Sequence, residues 1–500
     1  MGTPLLVTDG YKFSMAEAGW PLRRETFYGS HRKGGLQVLP FDVKAELQKL
    51  LPEAQPGDFE YLSANDYEVG AAGRAALAGA LEVEALPRFA VFHDREPLYS
   101  ITGPSFLVSW LEPLLLMWSY RVQVATVALF RPAELPAAVG TVTCEAQRDL
   151  VRETLDAVGV AAPPMTVDSE GYVARVRARV QSLVEVLESP DRLFEVGLRA
   201  ATCVEQHLLA LEGAKQAGLR RTSHVHGAKR LGLVPVGTMG HEHVQRYGSD
   251  DAAFRAMVER RHQRSSFLLD TFDTLKSGIP TAYRLIAERG GQGDSIRYDS
   301  GDKVAQYRFA IAEARRLGIE PVQILEDGFD LEQTRTFEVL RRELGWPAAK
   351  QVYGYGGYLV AQTAGTALTR DCVAAVYKVS QTGHQATMKF GDEAGAGKQS
   401  VPGRPVLFRR RAGASGPFGV VGQAGEAAPE GYTALTGAEP LPAPRVLADV
   451  VEVTLAGGEV LRVSRAPGAR VELPELRLGH SPATQALIDE LSERRRRWTS

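Results

Sequence analysis

Four polar motifs stand out, each placed where a short apolar run gives way to a helical pattern. Gly237-Thr238-Met239-Gly240-His241-Glu242-His243 follows the run Leu233–Val236. A histidine at a strand end can serve as general base, nucleophile or metal ligand, and two ordinary loop histidines look the same. No third ligand of matching spacing accompanies the pair, so no metal site is predicted. The second motif is Arg297-Tyr298-Asp299-Ser300-Gly301-Asp302. Alternate strand residues point the same way, so Arg297 and Asp299 share a face. A guanidinium forks onto a carboxylate or phosphate, and an aspartate accepts from sugar hydroxyls. The third, Leu325-Glu326-Asp327-Gly328-Phe329-Asp330, sets an acid and a glycine at a strand end, an arrangement that suits a ligand or a plain turn. In the fourth, Tyr353-Gly354-Tyr355-Gly356-Gly357-Tyr358, glycines before a helix start let N–H groups face a phosphate. It matches neither the Gly-Lys-Ser/Thr nucleotide loop nor the dinucleotide fingerprint. Together the motifs point to an anionic, sugar-bearing substrate, with phosphate on Gly356 and Gly357, sugar on aspartate and a further anion on arginine.

The elements that must position these groups alternate in type. From about 195 to 380, Leu233–Val236, Ser295–Tyr298, Val322–Leu325, Gln351–Tyr353 and Ala374–Val379 read as strands, with amphipathic helices between several of them. Asp302 is expected to cap one helix and Gly318 to end it, while Asp330 with Gln333 begins another that Gly345 and Pro347 stop. Strand–helix alternation implies parallel strands with crossover helices, hence an α/β barrel or doubly wound sheet. In a barrel, reactive groups collect at the C-terminal strand ends. Upstream, Val173, Val176, Val180, Leu183 and Leu187 make one apolar stripe on a helix over Tyr172–Glu188. Short strands broken by Gly and Pro fill residues 1–130, as in Glu25–Ser30, Ala90–Phe92 and Leu98–Ile101. They return after about 390, as in Val450–Leu455 and Val460–Val463. Glu393–Gly397 and Ala412–Pro417 read as loops. A last helix starts at Ser481-Pro482 and ends in Arg494–Arg497, read as a solvated terminus.

The chain has 500 residues, enough for two or three domains at about 100–200 residues each. Lys+Arg (58) and Asp+Glu (60) nearly cancel, giving a net charge of −2. A protein held on nucleic acid by phosphate neutralisation would be more basic, so no nucleic-acid partner is expected. Cys144, Cys203 and Cys372 are far apart and odd in number. They make neither a disulfide framework nor a Cys-rich metal site, and they suit a reducing cytoplasm. Asp9, Lys12 and Glu17 interrupt any signal-peptide pattern. Glu112, Pro113 and Arg121 mark the apolar stretch Phe106–Leu129 as buried core, with no membrane partner expected.

The motifs resemble those of the nicotinate phosphoribosyltransferase family, with the nicotinamide phosphoribosyltransferases as close kin. The likeness runs from Leu5 to about Arg409 and is strongest in Thr8–Lys12, Val196–Arg199, Thr222–His224, Gly237–Glu242, Leu269–Asp273, Arg297–Asp302 and Gly354–Leu359. Glu96-Pro97-Leu98 and Gly103-Pro104 belong to it as well; residues 135–195 and 410–500 match poorly. The resemblance implies an irregular α/β barrel, type II phosphoribosyltransferase-like, set in a discontinuous β-rich α+β domain. The corresponding boundaries are 1–135 and 391–500 for the β-rich part and its C-terminal extension, and 136–390 for the barrel. It further implies a cytoplasmic homodimer with shared active sites, acting in NAD biosynthesis. The implied reaction is attack of the nicotinate nitrogen on phosphoribosyl pyrophosphate, giving nicotinate mononucleotide and pyrophosphate with ATP hydrolysis. Mg2+ and ATP are implied, and no tightly bound organic cofactor.

Carried over by motif, His241 resembles the histidine phosphorylated from ATP, with His243 the alternative register. Arg297 and Arg199 resemble the arginines on substrate carboxylate and phosphates, Asp299 the ribose-side acid, and Asp327 with Gly328 the ribose loop. Gly356 and Gly357 resemble a 5′-phosphate cradle, and Tyr11 an aromatic stacked on the pyridine from a neighbouring subunit. Arg32, Lys33, Arg370, Lys398 and Arg404 would anchor pyrophosphate. Ser223 stands where the nicotinamide branch tends to have an aspartate, which would repel a carboxylate, so nicotinate is the expected base. Leu325–Asp330 and Thr369–Asp371 look closer to the nicotinamide branch, which keeps nicotinamide as the alternative base. Val196 replaces the phenylalanine usual before Gly-Leu/Tyr-Arg and cannot stack on a ring. That departure keeps a non-catalytic mononucleotide-binding homologue as a third reading.

Overall fold

The computed structural model describes residues 2–261, 264–290, 293–361, 368–390, 399–466 and 476–499. The loop expected at Glu393–Gly397 and the anchor Lys398 lie outside them. Near the N-terminus, β1 (Arg24–His31), β2 (Glu82–Ala85) and β3 (Pro97–Pro104) pair antiparallel. The strands expected at Glu25–Ser30 and Leu98–Ile101 are therefore partners. Val91–Phe92 pairs instead with Gln37–Val38.

Seven parallel strands follow: β4 (Leu193–Glu195), β5 (Arg221–Thr222), β6 (Val234–Pro235), β7 (Ser266–Leu268), β8 (Ser295–Tyr298), β9 (Val322–Leu325) and β10 (Gln351–Tyr355). Their order is β6-β5-β4-β10-β9-β8-β7, and each pairing is parallel. This is a mixed α/β protein built on a curled parallel half-barrel. The irregularity is a seam, since β6 and β7 are consecutive in the chain yet not hydrogen-bonded to each other.

The strand expected at Ala374–Val379 does not join the half-barrel. As β11 (Ala375–Thr382) it pairs antiparallel with β1, and β12 (Gln385–Ala386) pairs with β11 at the sheet edge. A parallel return needs a crossover of a dozen or more residues, usually a helix. The described helices between β10 and β11 are the single turns Gly357–Val360 and Arg370–Val373. The second sheet thus joins the chain before the half-barrel to the chain after it, in the order β12-β11-β1-β3-β2. Beyond it, Pro405–Arg410, Gly419–Gln423, Tyr432–Ala434 and Leu478–His480 form a further sheet, and Val450–Thr454 pairs with Val460–Ser464.

The helices that matter for the site are α1 (Gly10–Glu17), α2 (Glu112–Phe130), α3 (Glu145–Ala157), α4 (Ser169–Leu187), α5 (Val204–Gln216) and α6 (His241–Tyr247). Every residue of α2 is buried, so this helix, long and apolar enough to cross a membrane, is the core of the fold. Each of its fully buried Leu or Val side chains contributes about 1.5–3 kcal/mol. Helix α4 realises the predicted stripe, with Val176, Val180, Leu183 and Leu187 buried. Asp302 accepts from the Val304 and Ala305 N–H groups and Asp330 from that of Gln333, as expected of caps. The final helix, Pro482–Thr499, begins after Ser481. Its Arg495 is not merely solvated, for it donates to the Phe272 carbonyl at 3.3 Å.

Candidate active site

The C-terminal ends of the parallel strands converge on one mouth, and α1 lies across it. Gly237 explains how α1 comes so close. A Cβ there would stand 2.3 Å from the Tyr11 backbone nitrogen, so no larger residue fits without moving the helix. A cavity of about 500 Å³ opens here, lined by Asp9, Tyr11, Val196, Arg199, Ser223, Thr238, Arg297 and Glu326, among others. That volume is typical of small-molecule sites.

Arg297 rises from β8 and is 8% exposed. Its Nη1 donates to Thr238 Oγ1 at 2.6 Å, its Nε forms an ion pair with Glu326 at 2.7 Å, and its Nη2 lies 3.7 Å from Asp299. Burial raises the Glu326 pKa against the pull of Arg297. Arg199 follows β4 and lies 3.7 Å from Glu112 of α2. Glu112 is a hub that also accepts from the Tyr11 hydroxyl at 2.9 Å and from Lys12. Burial opposes its charge, but Lys12 and Arg199 hold it ionised, well below the usual carboxylate range. Lys12 also reaches Glu242 at 2.8 Å, so α1, α2 and α6 are tied by one buried network.

Ser223 is not alone at its position. Its hydroxyl donates to Asp9 at 2.6 Å. A carboxylate therefore stands beside the expected base site, supplied by the segment before α1 and not by residue 223. Burial raises the Asp9 pKa, which favours its neutral form, while Arg199 and the Ser223 bond oppose this. Behind Ser223, Glu195 accepts from Thr222 at 2.6 Å and lies 2.9 Å from His207, whose other ring nitrogen lies 2.9 Å from His224. This buried chain locks the ends of β4 and β5.

The second group lies beside the first. His241, at the start of α6, is 7% exposed. Its Nε2 lies 2.8 Å from Lys389 Nζ and 3.3 Å from Asp299, and its Nδ1 lies 3.1 Å from Thr271 Oγ1. An ammonium only donates, so Nε2 accepts and the proton sits on Nδ1, facing Thr271. Burial and then Lys389 lower the His241 pKa, with Asp270 and Asp299 opposing. His243 is fully buried and turned away, its Nε2 donating to the Ala253 carbonyl at 3.0 Å, and burial lowers its pKa to about 4. The geometry thus separates the two histidines that the sequence left open. His241, Asp270 and Asp299 offer atoms within 4.8 Å of one another, close enough for a cation. Lys389 Nζ already sits among them, 3.6 Å from Asp270 and 4.0 Å from Asp299. Hard cations such as Mg2+ prefer oxygen ligands, and this ammonium–imidazole set does not fit a resident one.

A third group is cationic. Arg32 at the end of β1, Arg370 and Lys378 of β11 have lowered proton affinity, whereas Arg199, which acts on Arg370 and Lys378, is itself held charged against burial by Tyr11, Glu112, Asp9 and Asp299. Burial comes first in the lowering, and the neighbouring cations add to it. Lys378 is brought down to about 7, by burial first, then by Lys389, Arg32 and Arg199, with Glu112 opposing. Asp327 acts on both Arg32 and Arg370 from the rim. Asp327 and Gly328 are exposed and take left-handed φ values of 62° and 79°, so the ribose-loop candidate forms a tight reversal at the end of β9. Gly356 packs near Val196, and Gly357 faces Asp371, so the glycine turn adjoins Arg370. Arg404 pairs with Glu82 and Glu84, which corrects its expected role as an anchor. Tyr11 lines the cavity of its own chain.

Comparison with known proteins fits this geometry. No family model matches the chain. In sequence it is similar to the nicotinate phosphoribosyltransferase of Bacillus subtilis, 28% identical over 249 residues, 49% of this chain and 47% of that protein. It is also similar to the nicotinate phosphoribosyltransferase of Bos taurus, 23% identical over 487 residues, 81% of this chain and 76% of that protein. The match with the bacterial relative thus spans about half of that protein's length. In structure it resembles nicotinate phosphoribosyltransferase from Porphyromonas gingivalis, with a TM-score of 0.56 and 18% identity over 80% of this chain and 96% of that one. The chain is similar to nicotinate phosphoribosyltransferases. The structural likeness accords with the half-barrel. Sequence reasoning missed Glu112, Lys389 and Thr238 as site residues and did not place Asp9 beside Ser223. Asp9 and Asp270 lie inside recognisable motifs, whereas Glu112 looks in sequence like a polar interruption of the apolar core.

Proposed function

We propose that this protein is a nicotinate phosphoribosyltransferase, converting nicotinate and phosphoribosyl pyrophosphate into nicotinate mononucleotide and pyrophosphate in NAD salvage. The observation that carries the reading is the cluster of Arg32, Arg370 and Lys378, whose proton affinity burial and neighbouring cations depress, next to Arg199, which lines the cavity with Arg297, itself 3.7 Å from Asp299. Such a cluster gains from a polyanion that relieves the repulsion.

In this reading Arg370, Arg32 and Lys378 hold the pyrophosphate, and the N–H groups at Gly356 and Gly357 hold the 5′-phosphate. Asp327 and Gly328 border the ribose. Arg297 and Arg199 orient the carboxylate of the base, with Asp9 in its neutral form beside Ser223. The Tyr11 ring covers the base, held by its bond to Glu112. Positive charge grows at the sugar carbon as pyrophosphate leaves, and Asp299 supplies the facing negative charge. His241 presents a neutral Nε2 and is the acceptor of phosphate from ATP in this reading, with Lys389 donating to that nitrogen in the resting state. The His241 group does not suit a resident cation, and Mg2+ enters as the chelate of the diphosphate substrates. We extend the proposal to a type II phosphoribosyltransferase-like barrel over residues 136–390, its end drawn back to before β11 because β11 pairs with β1, with a β-rich part from the segments either side, a cytoplasmic setting and a homodimer. Nicotinate-dependent release of pyrophosphate from phosphoribosyl pyrophosphate, with and without ATP, tests the assignment; release that ignores the base would refute it.

A further inference from the structure

Cys144 and Cys203 lie far apart in sequence and outside the site described above, yet their sulfurs are 3.6 Å apart. Each opens a thirteen-residue helix, α3 and α5, from the same extended N-cap conformation, with φ and ψ of −155° and 167° at Cys144 and −156° and 169° at Cys203. Each sits in the same local sequence, Thr-Cys-x-x-Gln. In both copies the Gln side chain accepts from the Thr backbone, at 2.7 Å in Thr143–Gln147 and 2.7 Å in Thr202–Gln206. Both Thr hydroxyls donate to the same Gln oxygen, at 2.8 Å and 3.1 Å. Two identical caps thus hold two thiols face to face at two helix N-termini.

That setting favours a thiolate, because helix N-termini stabilise negative charge. The contact with Cys203 comes first among the causes that bring the Cys144 thiol down to about 7, with the Gln147 N–H adding to it and burial opposing. The same contact, with burial, pushes Cys203 the other way. The contact lets one sulfur carry negative charge while the other keeps the proton, and the open helix N-terminus at Cys144 favours the thiolate there. The thiols are nearly buried, at 8% and 7% exposure. Residues of both caps, Gln147, Thr202 and Gln206, line a small cavity with Tyr120 and Thr369, of about 10 Å³, room for a molecule the size of water. Gln206 Nε2, in a side chain 1% exposed, has no hydrogen-bond partner among the described residues, so a buried donor is available to a small polar guest.

We propose that Cys144 and Cys203 form an oxidisable dithiol site that takes a small hydroperoxide and closes to an intramolecular disulfide. The Cys144 thiolate attacks the peroxide O–O bond, giving a sulfenic acid and, after protonation, water or an alcohol. The Cys203 sulfur then attacks that sulfenic sulfur, the S–S bond forms and water leaves. The two thiols together lose two electrons and two protons to the peroxide. Bonded sulfurs stand about 2.05 Å apart, so the pair must close by about 1.5 Å. The site is independent of the phosphoribosyl-transfer reading and is tested without an activity assay. The folded full-length protein is titrated with hydrogen peroxide, quenched, denatured and assayed for thiols, with non-reducing peptide mass spectrometry. The expected result is the loss of two of the three thiols within a monomer, a peptide linking Cys144 to Cys203, and its release by a dithiol reductant. Cys372→Ser, at an exposed position, should still lose two, and Cys144→Ser should form no such link. Cys144 and Cys203 remaining reduced while Cys372 is consumed, or links only between chains, would overturn the proposal.

Discussion

At the scale of residues, His241 and His243 sit two positions apart and have opposite fates. His243 spends its Nε2 on a backbone carbonyl, whereas His241 turns Nε2 toward Lys389 and Asp299. Incubation with ATP should therefore put an acid-labile phosphate on His241 and none on His243, read by mass spectrometry. His241→Ala should lower kcat/KM in the presence of ATP by about 10²-fold or more. The His241 pKa is lowered, so the imidazole is unprotonated at Nε2 at neutral pH and becomes protonated there as pH falls through that pKa; activity should decline on the acid side. Lys378 gives the opposite limb. Its ammonium, with a pKa of about 7, is present below that pH and lost above it. KM for the diphosphate substrate should thus rise from pH 6 to pH 8, and Lys378→Met should flatten that rise. At this scale the sequence was legible where a strand period places charges on one face, as with Arg297 and Asp299. It was not legible for Glu112 or Lys389, whose contacts come from segments more than a hundred residues away.

At the scale of elements, α6 must hold His241 against a half-barrel with an open seam on that side. A buried bidentate pair does this, with Arg246 of α6 donating to Glu25 of β1 at 2.7 and 2.9 Å, both side chains almost fully buried. Glu25→Ala strands a buried guanidinium and should cost about 3–5 kcal/mol of unfolding free energy in a denaturant titration. Gly237→Ala forces α1 off the mouth and should cost about 1–3 kcal/mol. Because α1 carries Tyr11 and adjoins Asp9, KM for the base should rise in the same variant. The helices were legible from caps and stripes. Strand β11 was misassigned because an apolar run carries no mark of whether its partner is parallel; its antiparallel partner β1 comes from the far N-terminal part of the chain.

At the scale of the whole molecule, the chain before the half-barrel and the chain after it build one antiparallel sheet, and the cations of that sheet face the mouth of the half-barrel. The C-terminal sheet is fastened on by Arg409, 1% exposed, which donates to Glu96 at 2.7 and 2.8 Å and lies over Phe418. A net charge of −2 hid this local concentration of cations, since composition averages over the surface that dilutes it. The most direct test offers the protein phosphoribosyl pyrophosphate with equal amounts of nicotinate and nicotinamide, and identifies the mononucleotide by mass. The account predicts nicotinate mononucleotide as the main product, with Arg297→Ala lowering its yield at least tenfold. Nicotinamide mononucleotide as the main product, or neither mononucleotide, would contradict it.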